Sequence, residues 1–286
     1  MSSYIIDMNQ SKENLERDKN YSLQIKTVQS SIFKTLIESV KELLPDTNLD
    51  IDKNGVKILS MDPTHTVLVH VHLHAENFEL YYCDKKCIVG LSMTNLFKLM
   101  KTVTNNDTLM LFMEHNDPNH LGIRIENGCK NCTTTYKLNL MDLNEDSLQI
   151  PPAIFPAVIT MRASEFQKVC RDMNSISDTL EIQSINGQLI LSCTGDFAEQ
   201  QTVLGESNEN GMSFIQNKDS DSDYEHVQGF FSLKHLMLFT KCTNLCNTIQ
   251  LFLKNNYPLI LCYQVGSLGD IKMCLAPKNT SNDNSK

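Results

Sequence analysis

The run LDIDKNGVKILS at residues 49–60 returns in altered form as LEIQSINGQLILS at residues 180–192, and this recurrence decides the architecture. In both copies an Asn-Gly pair, Asn54-Gly55 or Asn186-Gly187, separates two aliphatic stretches: Leu49-Asp50-Ile51 and Ile58-Leu59-Ser60 in one, Leu180-Glu181-Ile182 and Ile190-Leu191-Ser192 in the other. Asn-Gly accepts the positive φ of a tight turn, so each copy predicts a β-hairpin. A second recurrence lies downstream. DTLMLFM at 107–113 answers NTIQLFL at 247–253, and Pro118 and Pro258 follow at the same distance. Self-similarity on this scale means two copies of one domain.

Ahead of each strand segment lies a helix-length stretch with apolar residues at helical spacing. These stretches are about 30–44 (Phe33, Leu36, Ile37, Val40), 94–103 (Leu96, Phe97, Met100, Val103), 164–173 (Phe166, Val169, Cys170, Met173) and 232–241 (Leu233, Leu236, Met237, Thr240). The expected organisation is a disordered N-terminal extension at 1–20, domain 1 at 21–138, a connector at 139–156, domain 2 at 157–278 and a disordered tail at 279–286. The connector, NLMDLNEDSLQIPPAIFP, is acidic and proline-rich and reads as an extended surface strap. The segment 206–226, with SNENG and KDSDSD runs, reads as a loop prone to disorder.

Composition narrows the function classes. The 286 residues are 41% hydrophobic, enough for two cores, and no stretch approaches the roughly 20 uncharged apolar residues of a membrane span. The polar N-terminus is unlike a secretion signal, so the ten cysteines read as reduced thiols in a soluble intracellular protein. A net charge of −9 argues against nucleic-acid binding by bulk attraction, leaving only local contact. Local positive charge is present. Lys98 and Lys101, and Lys168 and Arg171, are three residues apart, while Lys34 and Lys41, and Lys234 and Lys241, are seven apart. Both spacings return to one face of a helix, so each predicted helix carries a basic pair on one side, with Glu38, Asp172 and Leu238 interrupting the stripe.

Eight segments give the chain a family resemblance over residues 21–278. In order they are KILSMDPTHTVLVHVHL, FELYYCD, MTNLFKLMK, KLNLMDL, EFQKVCRDM, FTKCT, YPLIL and LAPK. The sequence resembles proliferating cell nuclear antigen, the eukaryotic-type DNA polymerase sliding clamp. That resemblance implies an α+β DNA clamp fold of two duplicated domains, each with two helices packed on antiparallel sheets, three subunits forming a pseudo-six-fold ring. It implies a non-enzymatic processivity factor of the nucleus, or of a viral replication compartment, whose partners are duplex DNA, a clamp loader, DNA polymerase and other proteins carrying clamp-binding peptides, and two further copies of itself. The eight basic helix residues would then face DNA phosphates without reading bases. A partner groove under the connector falls on Met61, His65 and Leu68, on Leu148, Ile150, Pro151 and Phe155, and on Pro258, Ala276, Pro277 and Lys278. The subunit contacts fall on Thr134, Tyr136 and Leu138 of one edge strand and Phe197, Gln201 and Val203 of another. The family's ubiquitin-acceptor lysine has no counterpart, since Gln183-Ser184-Ile185 stands there. A clamp-like scaffold, monomeric or in a mixed ring, would show the same residues.

Two other chemistries have partial signals in the sequence. His70, His72 and His74 alternate along one predicted strand, Cys83 and Cys87 follow, and Cys129-Lys130-Asn131-Cys132 is a C-x-x-C. A single C-x-x-C lacks the second pair of a zinc knuckle, and the histidines equally fit the solvent face of a strand whose Val67, Val69, Val71 and Leu73 point inward. Neither a metal nor a cofactor is expected. No phosphate-loop, dinucleotide, nucleophile-elbow or H-E-x-x-H motif is present, so no catalytic residues are assigned.

Overall fold

The computed structural model describes residues 20–144, 148, 150, 153–207, 211–216 and 227–278. Residues 1–19, Pro151, the tail and most of the 206–226 segment, on which some of these expectations fall, lie outside the described residues. The first half runs β1 (Tyr21–Thr27), α1 (Ser30–Val40), β2 (Asp46–Asp52), β3 (Gly55–Met61), β4 (Val67–His74), β5 (Leu80–Cys83), β6 (Cys87–Ser92), α2 (Met93–Met100), β7 (Asp107–Glu114), β8 (Asp117–Asn127) and β9 (Cys132–Asn139). The second half repeats it with β10 (Ala157–Arg162), α3 (Ala163–Asn174), β11 (Thr179–Ile185), β12 (Gln188–Thr194), β13 (Glu199–Gly205), β14 (Ser213–Gln216), β15 (Val227–Ser232), α4 (Leu233–Phe239), β16 (Thr248–Leu253), β17 (Leu259–Val265) and β18 (Gly269–Leu275).

Three antiparallel sheets result. One has five strands in the order β5-β1-β7-β8-β9, one has four in the order β13-β12-β11-β15, and one has nine in the order β14-β10-β16-β17-β18-β4-β3-β2-β6. The nine-stranded sheet crosses from one half to the other, because β18 pairs with β4 from Gly269↔Leu73 to Leu275↔Val67. Alternation puts Val67, Val69, Val71 and Leu73 into the core at 0–2% exposure. The helices cover that inner side. α1 packs on α2, α3 packs on α4, and the 3-10 turn Thr240–Asn244 touches both α1 and α3, which joins the four helices into one layer.

Two details differ from the sequence reading. α4 ends at Phe239 and gives way to the 3-10 turn, so Lys234 and Lys241 do not sit on one continuous helix. Ser213–Gln216, inside the segment read as a loop, is edge strand β14 on β10, with Phe214 packed against the core. No helix among the described residues is long and apolar enough to cross a membrane.

Candidate DNA-facing layer, partner groove and subunit edges

On the helix layer, apolar residues three and four apart turn toward the sheets and leave the intervening positions outward. Phe33, Leu36, Ile37 and Val40 do so in α1, and Phe166, Cys170 and Met173 in α3. Of the eight basic residues, Lys98, Lys101, Lys168, Arg171 and Lys234 are exposed. The other three are half-buried and engaged. Lys34 donates its ammonium to the carbonyls of Lys101 and Val103, both at 2.9 Å, closing the C-terminal end of α2. Lys41 lies 4.6 Å from the Phe97 ring centre. Lys241 reaches Glu42 at 2.5 Å, and the Ser39 hydroxyl donates to the Lys241 carbonyl at 3.2 Å. The hydrogen bond from Lys241 holds the Glu42 carboxyl below its ordinary range.

The opposite side of the nine-stranded sheet carries the groove residues. Met61, Leu68, Phe155, Pro258 and Pro277 are half-buried, as is Leu148, while His65, Ile150, Ala276 and Lys278 are exposed. Asp62 sets the loop between β3 and β4: its carboxylate accepts from the backbone N–H of Thr66 at 2.8 Å and Val67 at 2.6 Å, and from the Thr64 N–H and hydroxyl. His65 thereby takes a φ of 54°. Burial opposes ionisation of Asp62, but these hydrogen bonds outweigh it and keep its pKa below the carboxylate norm. Phe155 stands edge-on to Phe252 and Tyr257, at 5.6 and 5.5 Å between ring centres. The chain beyond β18 is tied down, with Ala276 N–H on the Thr66 carbonyl at 3.1 Å and Lys278 Nζ on Thr179 Oγ1 at 2.7 Å.

The sheet register aligns further residues with those expected for the groove. One cross-strand row runs Met61, Leu68, Cys274, Ile260, Phe252 and Val158. Cys274, Ile260 and Phe252 therefore share the sheet face of Leu68, with Phe155 edge-on to Phe252 at the end of the row. The signal available was parity with Leu68, which only the pairing of β18 to β4 makes readable.

Among the described residues six strands end a sheet, β5, β6, β9, β13, β14 and β15, and the expected subunit contacts fall on two of them. β9 pairs with β8 and β13 with β12, and each ends its sheet. Leu138 is buried under its own domain and Thr134 and Tyr136 are half-buried, while Gln201 and Val203 point into open space. Phe197, just before β13, is 77% exposed. Beside β9 lies a cavity of about 450 Å³ lined by Asn95, Lys98 and Leu99 of α2 and by Leu138 and Leu140.

The histidines His70, His72 and His74 occupy the half-buried outer face of β4, with the rings of His72 and His74 4.1 Å apart. Burial, aided by neighbouring positive groups, lowers the pKa of His70 and His72. Among the described residues no three His, Cys, Asp or Glu side chains are placed to hold a metal, and all ten cysteines are thiols.

Comparison with known proteins follows the same outline. The family model for the proliferating cell nuclear antigen N-terminal domain matches residues 22–149, and that for its C-terminal domain matches residues 149–278. The chain belongs to the proliferating cell nuclear antigen family. Among relatives of this clamp, a Paramecium bursaria Chlorella virus 1 protein described as a probable DNA polymerase sliding clamp is 34% identical over 264 residues, covering 91% of this chain and 98% of that one. Proliferating cell nuclear antigen of Chaetomium thermophilum is 32% identical over 258 residues, covering 90% and 98%. The crystal structure of the Entamoeba histolytica antigen shares the clamp fold at a TM-score of 0.82 and 26% identity, covering 91% of this chain and all of that one. Members of the family are DNA polymerase sliding clamps and have no enzymatic activity of their own.

Proposed function

We propose that three copies of this chain close into a ring around duplex DNA and tether a polymerase to it, acting where DNA is replicated, in the nucleus or in a viral replication compartment. The arrangement of sheets carries the reading. Inside the chain, five strands of the second half (β14-β10-β16-β17-β18) are already joined to four of the first (β4-β3-β2-β6) through β18 and β4. The chain is left with the matching five of the first half, ending at β9, and the matching four of the second, ending at β13. Unpaired edges invite a strand from another molecule. Repeating the internal joint between copies uses β9 and β13 in every copy, a head-to-tail contact that closes if the rotation allows. The helix layer then lines the hole, and Lys98, Lys101, Lys168, Arg171 and Lys234 reach the phosphates, supported by Lys34, Lys41 and Lys241.

On the outside, the row from Met61 to Phe252 together with His65, Leu148, Ile150, Pro151, Phe155, Pro258 and Ala276-Pro277-Lys278 would receive an apolar peptide turn from the polymerase and other clamp-bound proteins. A closed ring needs a loader to open it. The test is absolute mass by light scattering across a dilution series, followed by retention on duplex DNA. A mass of three subunits, with retention on nicked circles and loss on linearisation, is expected. A monomer at every concentration refutes the ring and leaves a clamp-like scaffold.

A further inference from the structure

Cys83 and Cys87 have no part in the clamp reading, yet the fold sets them side by side at a corner between two sheets. Cys83 is the last residue of β5, which ends the five-stranded sheet, and it pairs there with Leu23 of β1. Cys87 is the first residue of β6, which ends the nine-stranded sheet, and it pairs there with Ile51 of β2. Only Asp84, Lys85 and Lys86 lie between them. The Cys83 Sγ is 3.8 Å from the carbonyl oxygen of Ile51, the residue opposite Cys87, and 3.0 Å from that of Lys85. The two thiols are within hydrogen-bond reach of each other, Cys87 donating to the Cys83 sulfur. Both are half-buried against the core.

Each strand at this corner is tied to something else. The Tyr81 hydroxyl of β5 donates to the Asp52 carbonyl at 2.6 Å, and the Asp84 N–H donates to the Ser22 carbonyl at 3.0 Å. β6 holds the root of the connector. The Met141 N–H donates to the Gly90 carbonyl at 2.8 Å, and Asn48, paired with Gly90, gives its side-chain amide to the Leu143 carbonyl at 3.1 Å.

We propose that Cys83 and Cys87 are an oxidation site for hydrogen peroxide, converted to an internal disulfide that staples the end strand of one sheet to the end strand of the other. The Cys83 thiolate attacks one peroxide oxygen and the O–O bond breaks. A sulfenic acid forms, and the departing hydroxide takes up the proton that the thiol released. The Cys87 sulfur then attacks the sulfenic sulfur, the S–O bond breaks, and that oxygen leaves as water with the Cys87 proton. Two thiols and one peroxide thus give one disulfide and two waters. Burial raises both pKa values, that of Cys87 to about 11, and Asp52 and Asp84 at Cys83 and Asp50 at Cys87 add to the rise. The hydrogen bond from Cys87 works the other way at Cys83 and marks it as the attacking sulfur. Thiolate is scarce at neutral pH, so the site answers sustained peroxide and reacts faster as pH rises.

The test exposes the full chain to hydrogen peroxide, caps the remaining thiols with an alkylating agent and digests it with trypsin. Cleavage at Lys85 and Lys86 separates the two cysteines, so a joined pair of peptides reports the bond. That pair is expected, forming about tenfold faster per pH unit between pH 7 and 9. The thermal midpoint should rise by roughly 4 °C, hydrogen exchange at the Met141 amide should slow, and dithiothreitol should reverse all three changes. Cys87→Ser should lose the joined pair and leave Cys83 as a sulfenic acid that dimedone traps. Oxidation that reaches the exposed Cys129 and Cys132 but never joins Cys83 to Cys87 overturns the proposal. A joined pair that moves neither the midpoint nor the Met141 exchange overturns the staple. Both outcomes are read on the natural chain, and neither depends on the ring.

Discussion

Asp62 shows how one buried polar residue can hold a loop in shape. The residue is 5% exposed, and its carboxylate satisfies three backbone N–H groups of the segment that carries His65. Replacing one carboxylate oxygen by an amide leaves buried donors short of an acceptor, so Asp62→Asn should cost about 1–3 kcal/mol in urea unfolding at neutral pH. The sign with pH follows from the depressed folded pKa. Asp62 contributes stability above its unfolded value of about 3.9, and that contribution is lost as pH falls through the lower folded value. The gap between natural and variant chains should therefore narrow in acid. A gap that stays constant from pH 7 to 3 would assign the cost to shape rather than charge.

The two hairpins that disclosed the duplication turn out to use their glycines differently. In β11–β12 both turn residues take positive φ, 50° at Asn186 and 71° at Gly187, the mirror-image turn that the dipeptide favours. In β2–β3 only Gly55 does, at 145°, and a Cβ there would lie 1.9 Å from the Leu73 carbonyl oxygen. Gly187 has nothing within 4 Å of that position. Gly187→Ala should thus cost about 1–2 kcal/mol of backbone strain alone, whereas Gly55→Ala must also displace β4, beside the strand pair that joins the domains. Urea midpoints for the two variants check this, and equal losses would count against the close approach at Gly55. Such contrasts mark what the sequence makes legible. The hairpins, the four helices and the inner face of β4 follow from turn chemistry and from periods of 3.6 and 2, which are local. The end of α4 was missed because apolar spacing continues through the 3-10 turn to Thr240. The candidate groove's Phe252 and Ile260 were missed because they share faces with Thr248 and Gln250 and with Gln264, which alternation reads as a solvent side, and only the strand order sets them in a row with Leu68.

At the scale of the molecule the question is how a chain of net charge −9 stays on a polyanion. Bulk attraction is unfavourable, so enclosure must supply retention while a few local cations keep the phosphates company. The structure separates two kinds of cation in the helix layer. Lys34 is committed to the carbonyls of Lys101 and Val103, and its loss should act on folding. Lys168 and Lys234 are exposed, and in the proposed ring they act on DNA. Lys168→Glu with Lys234→Glu should leave the melt and the assembled mass within error, since exposed substitutions usually shift stability by less than about 0.5 kcal/mol. Polymerase stimulation on a circular template should nevertheless fall, and its salt dependence should flatten as phosphate contacts disappear. Lys34→Met should act mainly on folding, lowering the unfolding free energy by about 1 kcal/mol for two lost hydrogen bonds, with stimulation reduced less than by the double reversal at temperatures where the variant stays folded. If the double reversal leaves stimulation and its salt slope unchanged, the helix layer does not face the phosphates, and the DNA-facing assignment fails even where the ring survives.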